Sequence, residues 1–143
     1  MSDHAYDPLR IENQLCFPLY ACSREIIKRY KPFLDEIDLT YTQYIAMMVL
    51  WEAGSVTVKE LGERLYLDSG TLTPLLKKME AKGLLTRARS PEDERQLVVS
   101  ITPAGENLKK RALSIPQRMA QCSNLVPEEA ATLYRLLYKV LKG

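Results

Sequence analysis

The stretch from Asp68 to Thr102 constrains the fold most tightly, because its apolar period changes partway along. Leu72, Leu75, Leu76 and Met79 recur at i, i+3, i+4 and i+7, which puts them on one stripe of a helix. Asp68-Ser69 offers caps at one end of that helix, and Gly83 stops it at the other. After Gly83 the period is two. Leu85, Arg87 and Arg89 lead into the turn Ser90-Pro91-Glu92-Asp93-Glu94-Arg95, and Leu97-Val98-Val99-Ser100-Ile101 returns as a β-branched strand. The pattern predicts a helix followed by a hairpin with arginines near its tip. Just upstream, Thr57-Val58-Lys59-Glu60 is a capping box opening a short helix through Leu65.

Helix, turn, helix, hairpin is the order of a winged helix-turn-helix. Opposite the apolar stripe of the second helix sit Ser69, Thr71, Thr73, Lys77 and Lys78, hydroxyls first and ammonium groups after. Such a face suits a major groove, where short polar groups meet base edges and lysines meet phosphates. The same pattern also fits a small α/β packing unit with an ordinary solvated face, and pattern alone does not choose between them. Charge does not choose either. The formal net charge is only +2, and the span from Lys77 to Arg95 holds six basic and four acidic side chains.

The flanks read as helices. From Leu9 to about Lys31 the residues Leu15, Leu19, Ile26 and Tyr30 share a stripe, with Pro18 predicting a kink or a late start near Phe17. Lys31-Pro32 predicts an end or a bend, and the polar residues 1–8 are expected to fray. Thr40-Tyr41-Thr42-Gln43 is a second capping box, opening a helix that stops at Ala53-Gly54 and sends Tyr44, Met47, Met48 and Trp51 into the core. Thr102-Pro103 launches a helix through Arg111, Pro116 interrupts the pattern, and Pro127-Glu128-Glu129 starts a last helix. Leu133, Leu136, Leu137, Val140 and Leu141 give that last helix a wide apolar face.

At 143 residues a single domain is expected, mainly α with a small β-wing. Residues 40–102 would form the DNA-binding lobe, and residues 9–32 and 103–142 the dimerisation helices. These terminal helices carry more apolar face than one winged lobe needs, which predicts a homodimer. Two-fold symmetry would also set two recognition helices about 34–36 Å apart, matching successive major grooves. The longest apolar run, Tyr44 to Trp51, is too short to span a bilayer, so a cytoplasmic protein without membrane contact is expected. Cys16, Cys22 and Cys122 have no metal-ligand spacing and His4 is the lone histidine, so neither metal nor cofactor is expected.

Leu15-Cys16-Phe17 with Leu19-Tyr20, the run Tyr41-Thr42-Gln43-Tyr44, the stretch from Leu67 to Lys77, and Asp93-Glu94-Arg95 resemble the MarR family. They look most like its organic-hydroperoxide-sensing repressors. The likeness covers nearly the whole chain and is most specific over residues 12–30 and 40–102. It implies a homodimeric winged helix-turn-helix repressor whose reduced form binds a palindromic operator in double-stranded DNA, with an organic hydroperoxide as the releasing oxidant. By motif position, Cys16 would be the reactive thiol, and Tyr30 and Tyr41 would donate to its thiolate across the dimer interface. Ser69, Thr71 and the recognition-helix lysines would face the groove, and Arg95, held by Asp93, would enter the minor groove. Cys122 lies about where two-cysteine members carry the thiol that pairs with the first cysteine of the opposite subunit.

The chemistry can also be weighed from the residues alone. A thiol attacks peroxide as thiolate, and both a helix start and phenol donors favour that anion. The other reading of Cys16 is a small buried hydrophobe on an apolar stripe. Cys22 lies about 9 Å further along an intact helix, too far to bridge Cys16. Cys122 is either a resolving thiol or a buried one. Three rival functions fit parts of the pattern: a MarR-type repressor released by a phenolic or aromatic acid, a thiol peroxidase, and a pure interaction module. No arginine or threonine constellation surrounds Cys16 in sequence and no thioredoxin-like βαβ pattern exists, so an enzyme is not expected.

Overall fold

Helix α1 (Cys16–Asp35) begins later than the apolar stripe from Leu9 suggests, at the late start near Phe17 that Pro18 predicts. In the computed structural model, which describes residues 4–143, His4–Leu9 and Ile11–Asn13 are short 3-10 turns instead. Side chains tie them together: Asn13 Nδ2 donates to the Asp7 carbonyl at 2.8 Å, and Gln14 Nε2 to the Pro8 carbonyl at 2.7 Å. Residues 4–8, expected to fray, therefore carry structure, and the rest of that segment lies outside the described residues. Pro18 falls in the first turn of α1, where its missing N–H has no helical acceptor to lose. Of the two outcomes expected at Lys31-Pro32, an end or a bend, the end does not occur. The chain continues to Asp35 because Leu34 is buried in the core and Lys31 pairs with Asp35 at 3.0 Å.

The capping boxes set the next two helices. Thr40 Oγ1 accepts the Gln43 N–H at 3.3 Å while Gln43 Oε1 accepts the Thr40 N–H at 3.1 Å, opening α2 (Tyr41–Ala53). A short strand, β1 (Ser55–Thr57), follows. Thr57 and Glu60 repeat the exchange to start α3 (Val58–Leu65). Then come α4 (Ser69–Ala81), β2 (Leu85–Arg89), β3 (Leu97–Ile101) and α5 (Pro103–Ala112). The strands form one antiparallel sheet in the order β1-β3-β2, with Val56 and Arg87 both opposite Val99. The wing thus has a third strand that the hairpin pattern did not reveal. Three residues are too few to display an alternation.

Leu34, Met47, Leu50, Leu61, Leu72, Leu76, Met79, Leu85 and Val99 are fully buried and make the core of this lobe. Met47 is inside as expected, but Met48 is 43% exposed. Buried residues recur in pairs along α2 (Gln43-Tyr44, Ala46-Met47, Val49-Leu50), and at about 100° per residue Met48 falls just past the edge of that face. Trp51 is half-buried, and its Nε1 donates to the Gly105 carbonyl at 2.9 Å. Gly105 also lets α5 lie close to the base of the hairpin: a Cβ there would sit 2.3 Å from the Leu84 carbonyl oxygen.

The chain divides into two compact units, the first ending at Leu113 and the second comprising Ser114–Gly143. Helix α5 belongs to the first. The second holds α6 (Ile115–Ala120), with Pro116 in its first turn, and α7 (Pro127–Lys142). Leu133, Leu136, Leu137, Val140 and Leu141 of α7 are all exposed, as are Phe17, Tyr20, Ile26 and Ile27 of α1. Among the described residues no helix is long and apolar enough to cross a membrane.

Candidate nucleic-acid interface and thiol site

The turn between α3 and α4 is tight for a local reason. Tyr66 ends α3 in the left-handed region at φ 57°, and a Cβ on Gly62 would lie 2.7 Å from the Leu67 carbonyl oxygen. Asp68 then caps α4, its Oδ1 accepting the Thr71 N–H at 2.7 Å. That backbone hydrogen bond, with a further one from the Thr71 side chain, holds the Asp68 carboxyl below its ordinary value. Leu72, Leu75, Leu76 and Met79 are buried, as the stripe predicts, and Ser69, Thr71, Thr73, Lys77 and Lys78 are exposed opposite them. Thr73 is more constrained than the sequence suggests. Its hydroxyl donates to the Ser69 carbonyl at 2.8 Å, leaving a methyl and an acceptor oxygen to face outward.

At the wing tip, Asp93 Oδ1 accepts both the backbone N–H of Arg95 at 3.0 Å and its Nε–H at 3.1 Å. The turn is closed by Ser90 N–H to the Gln96 carbonyl at 2.9 Å and Gln96 N–H to the Asp93 carbonyl at 3.0 Å. The Arg95 side chain is 91% exposed. Arg95 and Ser69 both border an open cleft of about 760 Å³ between the α3–α4 turn and the wing, with Lys59 and Tyr66. The arginines expected near the tip therefore part company. Arg89 is exposed, whereas Arg87 turns back to Glu80 of α4, which no local pattern announced.

Cys16 is the first residue of α1 and is exposed, so within one chain it is not a buried hydrophobe. Tyr30, Tyr41 and Tyr44 form a ring cluster with centroids 5.0, 5.8 and 6.4 Å apart. Burial raises the pKa of all three phenols, reinforced at Tyr30 by Tyr41; for Tyr44 burial together with Tyr30 and Tyr41 pushes it up to about 12. They remain neutral hydrogen-bond donors at ordinary pH. Tyr30 and Tyr41 are thus brought together, but Tyr30 lies about 21 Å along the axis of α1 from Cys16. Cys122 belongs to the second unit, just after α6, where its Sγ donates to the Arg118 carbonyl at 3.5 Å.

Residues 28–112 match the family of transcriptional regulators SarA/Rot. Over 140 residues the chain is 50% identical to the organic hydroperoxide resistance transcriptional regulator of Bacillus subtilis (strain 168), covering 98% of this chain and 95% of that protein. The chain belongs to the MarR family. Within it, the likeness is to the organic-hydroperoxide-resistance regulators, as the motifs around Cys16 and the tyrosines implied. The reduced form of AbfR bound to DNA is a close structural relative of this MarR-family chain, at TM-score 0.79 and 33% identity over 96% of both chains. The disulfide form of AbfR matches with a TM-score of 0.66 and 31% identity over 99% of both chains.

Proposed function

We propose that this chain is a redox-responsive repressor, acting as a homodimer on a palindromic operator in double-stranded DNA and released by organic hydroperoxide. The observation that carries the proposal is an exposed thiol heading α1 in a chain half identical to an organic hydroperoxide resistance regulator. The exposed face of α4 enters the major groove, with Ser69, Thr71 and Thr73 near base edges and Lys77 and Lys78 near phosphates. Arg95 enters the minor groove from the wing, steered by Asp93.

Cys16 is the trigger. Its thiolate attacks a peroxide oxygen: an S–O bond forms, the O–O bond breaks, and the alcohol leaves after taking a proton. Sulfur is oxidised by two electrons to a sulfenic acid and the peroxide is reduced. The thiol of the partner subunit's Cys122 then displaces water from that sulfenic acid, forming an intersubunit disulfide. Tyr30 and Tyr41 of the partner subunit donate hydrogen bonds to the Cys16 thiolate, since about 21 Å of helix separates Tyr30 from Cys16 within one chain. Moving operator occupancy from nearly full to nearly empty takes about 5.5 kcal/mol of preference between states. A covalent link incompatible with the DNA-spaced dimer supplies a term of that size.

The test is anisotropy of a labelled duplex from the promoter beside the protein's own gene, with and without cumene hydroperoxide and then with reductant. Wild type should release on oxidation and rebind on reduction, while Cys16→Ser should bind and ignore the peroxide. Normal release of that variant would refute the assignment of Cys16.

A further inference from the structure

Glu80, in the last turn of α4, reaches across to β2 and holds Arg87 at two points. Its Oε2 accepts the Arg87 backbone N–H at 3.1 Å, and its Oε1 accepts the Arg87 guanidinium at 3.1 Å. β2 is the edge strand of the sheet, so the outward N–H of Arg87 has no neighbouring strand to meet. The carboxylate takes that strand's place. The Arg87 side chain is only 19% exposed, although it belongs to a residue type that usually lies in solvent.

We propose that Glu80 and Arg87 are a positioning pair, fixing the wing's Arg95 relative to the recognition helix α4 so that both reach DNA together. This rests on the proposal above that α4 and Arg95 are the DNA contacts. Leu84, Leu85 and Val99 at the base of the hairpin are buried, whereas Arg89, Pro91, Glu92, Glu94, Arg95 and Gln96 are exposed. The tilt of the hairpin is therefore decided at its base. Arg87 stands opposite Val99, and Arg95 lies about 13 Å further out at roughly 3.3 Å per residue. A tilt of roughly 10° over that arm moves Arg95 by about 2 Å, enough to break a hydrogen bond made at about 2.9 Å. Glu80 is thus a positioning residue. It need not touch DNA itself.

The same labelled duplex separates positioning from charge. Glu80→Gln removes a negative charge from a surface that approaches a polyanion, so electrostatics alone predicts tighter binding. Positioning predicts the opposite sign, a loss of roughly tenfold, comparable to one groove contact. Arg95→Ala, measured in both backgrounds, should cost roughly tenfold in wild type and little in Glu80→Gln, because the first change has already misplaced the second residue. If Glu80→Gln does not fold, Arg87→Lys, which keeps the backbone hydrogen bond and a cation but loses the guanidinium contact, should still bind several-fold more weakly than wild type. Wild-type affinity in that variant would overturn the inference. Binding of Glu80→Gln as tight as wild type, or an equal cost of Arg95→Ala in both backgrounds, would overturn the inference alone. No cost of Arg95→Ala in wild type would refute the wing contact and the inference with it.

Discussion

The rings of Tyr30 on α1 and Tyr41 on α2 sit 5.0 Å apart and tilted by 50°, so one patch of surface carries two phenols from different helices. Burial keeps both protonated. If they serve the thiolate of the other subunit, each Phe substitution removes a donor to an anion. Tyr30→Phe and Tyr41→Phe should slow oxidation of Cys16 by roughly tenfold each, the worth of one charge-assisted hydrogen bond. Operator affinity of the reduced protein should stay within about twofold, since neither ring belongs to the DNA face. Stopped-flow measurement of sulfenic acid formation decides it, and an unchanged rate in both variants would remove the tyrosines from the sensor.

Cys122 bears on the fate of the oxidised sulfur. Treated with cumene hydroperoxide, the wild type should run as a dimer on a non-reducing denaturing gel and as a monomer after dithiothreitol. Cys122→Ser should run as a monomer throughout. A reducible dimer persisting in that variant would assign resolution to a sulfur other than Cys122.

Asp68 gives the recognition helix a pH dependence. Its folded carboxyl is held below the ordinary 3.8, so it contributes stability at pH values above that figure, which is lost as pH falls through its folded value. Asn caps helices about as well but does not titrate there. Asp68→Asn should match wild type near neutrality and lose less stability on acidification from pH 5 to pH 3, read by urea denaturation at each pH. An identical acid loss in both proteins would rule the cap out as a contributor.

Two glycines should respond to alanine with opposite signs. At Gly105 a Cβ would meet the Leu84 carbonyl oxygen at 2.3 Å and Ile101 Cγ1 at 2.9 Å, so Gly105→Ala should cost about 1–3 kcal/mol. At Gly70, inside α4, the nearest atom is Asp68 Oδ1 at 3.5 Å, and Gly70→Ala should stabilise by about 0.5–1 kcal/mol. Chemical denaturation of the two variants measures both values. A neutral Gly105→Ala would mean that α5 can back away from Leu84.

Where a helix start is decided by a cap and a partner three residues on, the sequence displays it. Thr40, Thr57, Asp68 and Thr102 each cap a helix through a partner three positions on, and all four were readable. Asp93 and Arg95 are equally local, two residues apart on one turn. Where the partner comes from elsewhere, sequence was silent. Glu80 and Arg87 are separated by a turn that reverses the chain, and β1 is defined only by pairing with Val98, Val99 and Ser100. The ring contact of Tyr30 with Tyr41 needs two helices to pack, and Met48 is exposed because α2 buries its other side. Pro32 does not end α1, because burial of Leu34 outweighs one lost backbone hydrogen bond.

Pro18 limits how far the front of α1 can grow. Gln14, four residues before it, is extended at φ −98° and ψ 121°. Were α1 to grow backward past Leu15, the pyrrolidine ring would strike the Gln14 carbonyl. Unlike Pro32, whose clash is offset by the buried Leu34, Pro18 has no buried side chain among the described residues before it. Growing the helix backward therefore costs about 3 kcal/mol, and the ring acts as a doorstop. That cost holds the sulfur of Cys16 at the threshold of its helix and disfavours drawing it into the middle.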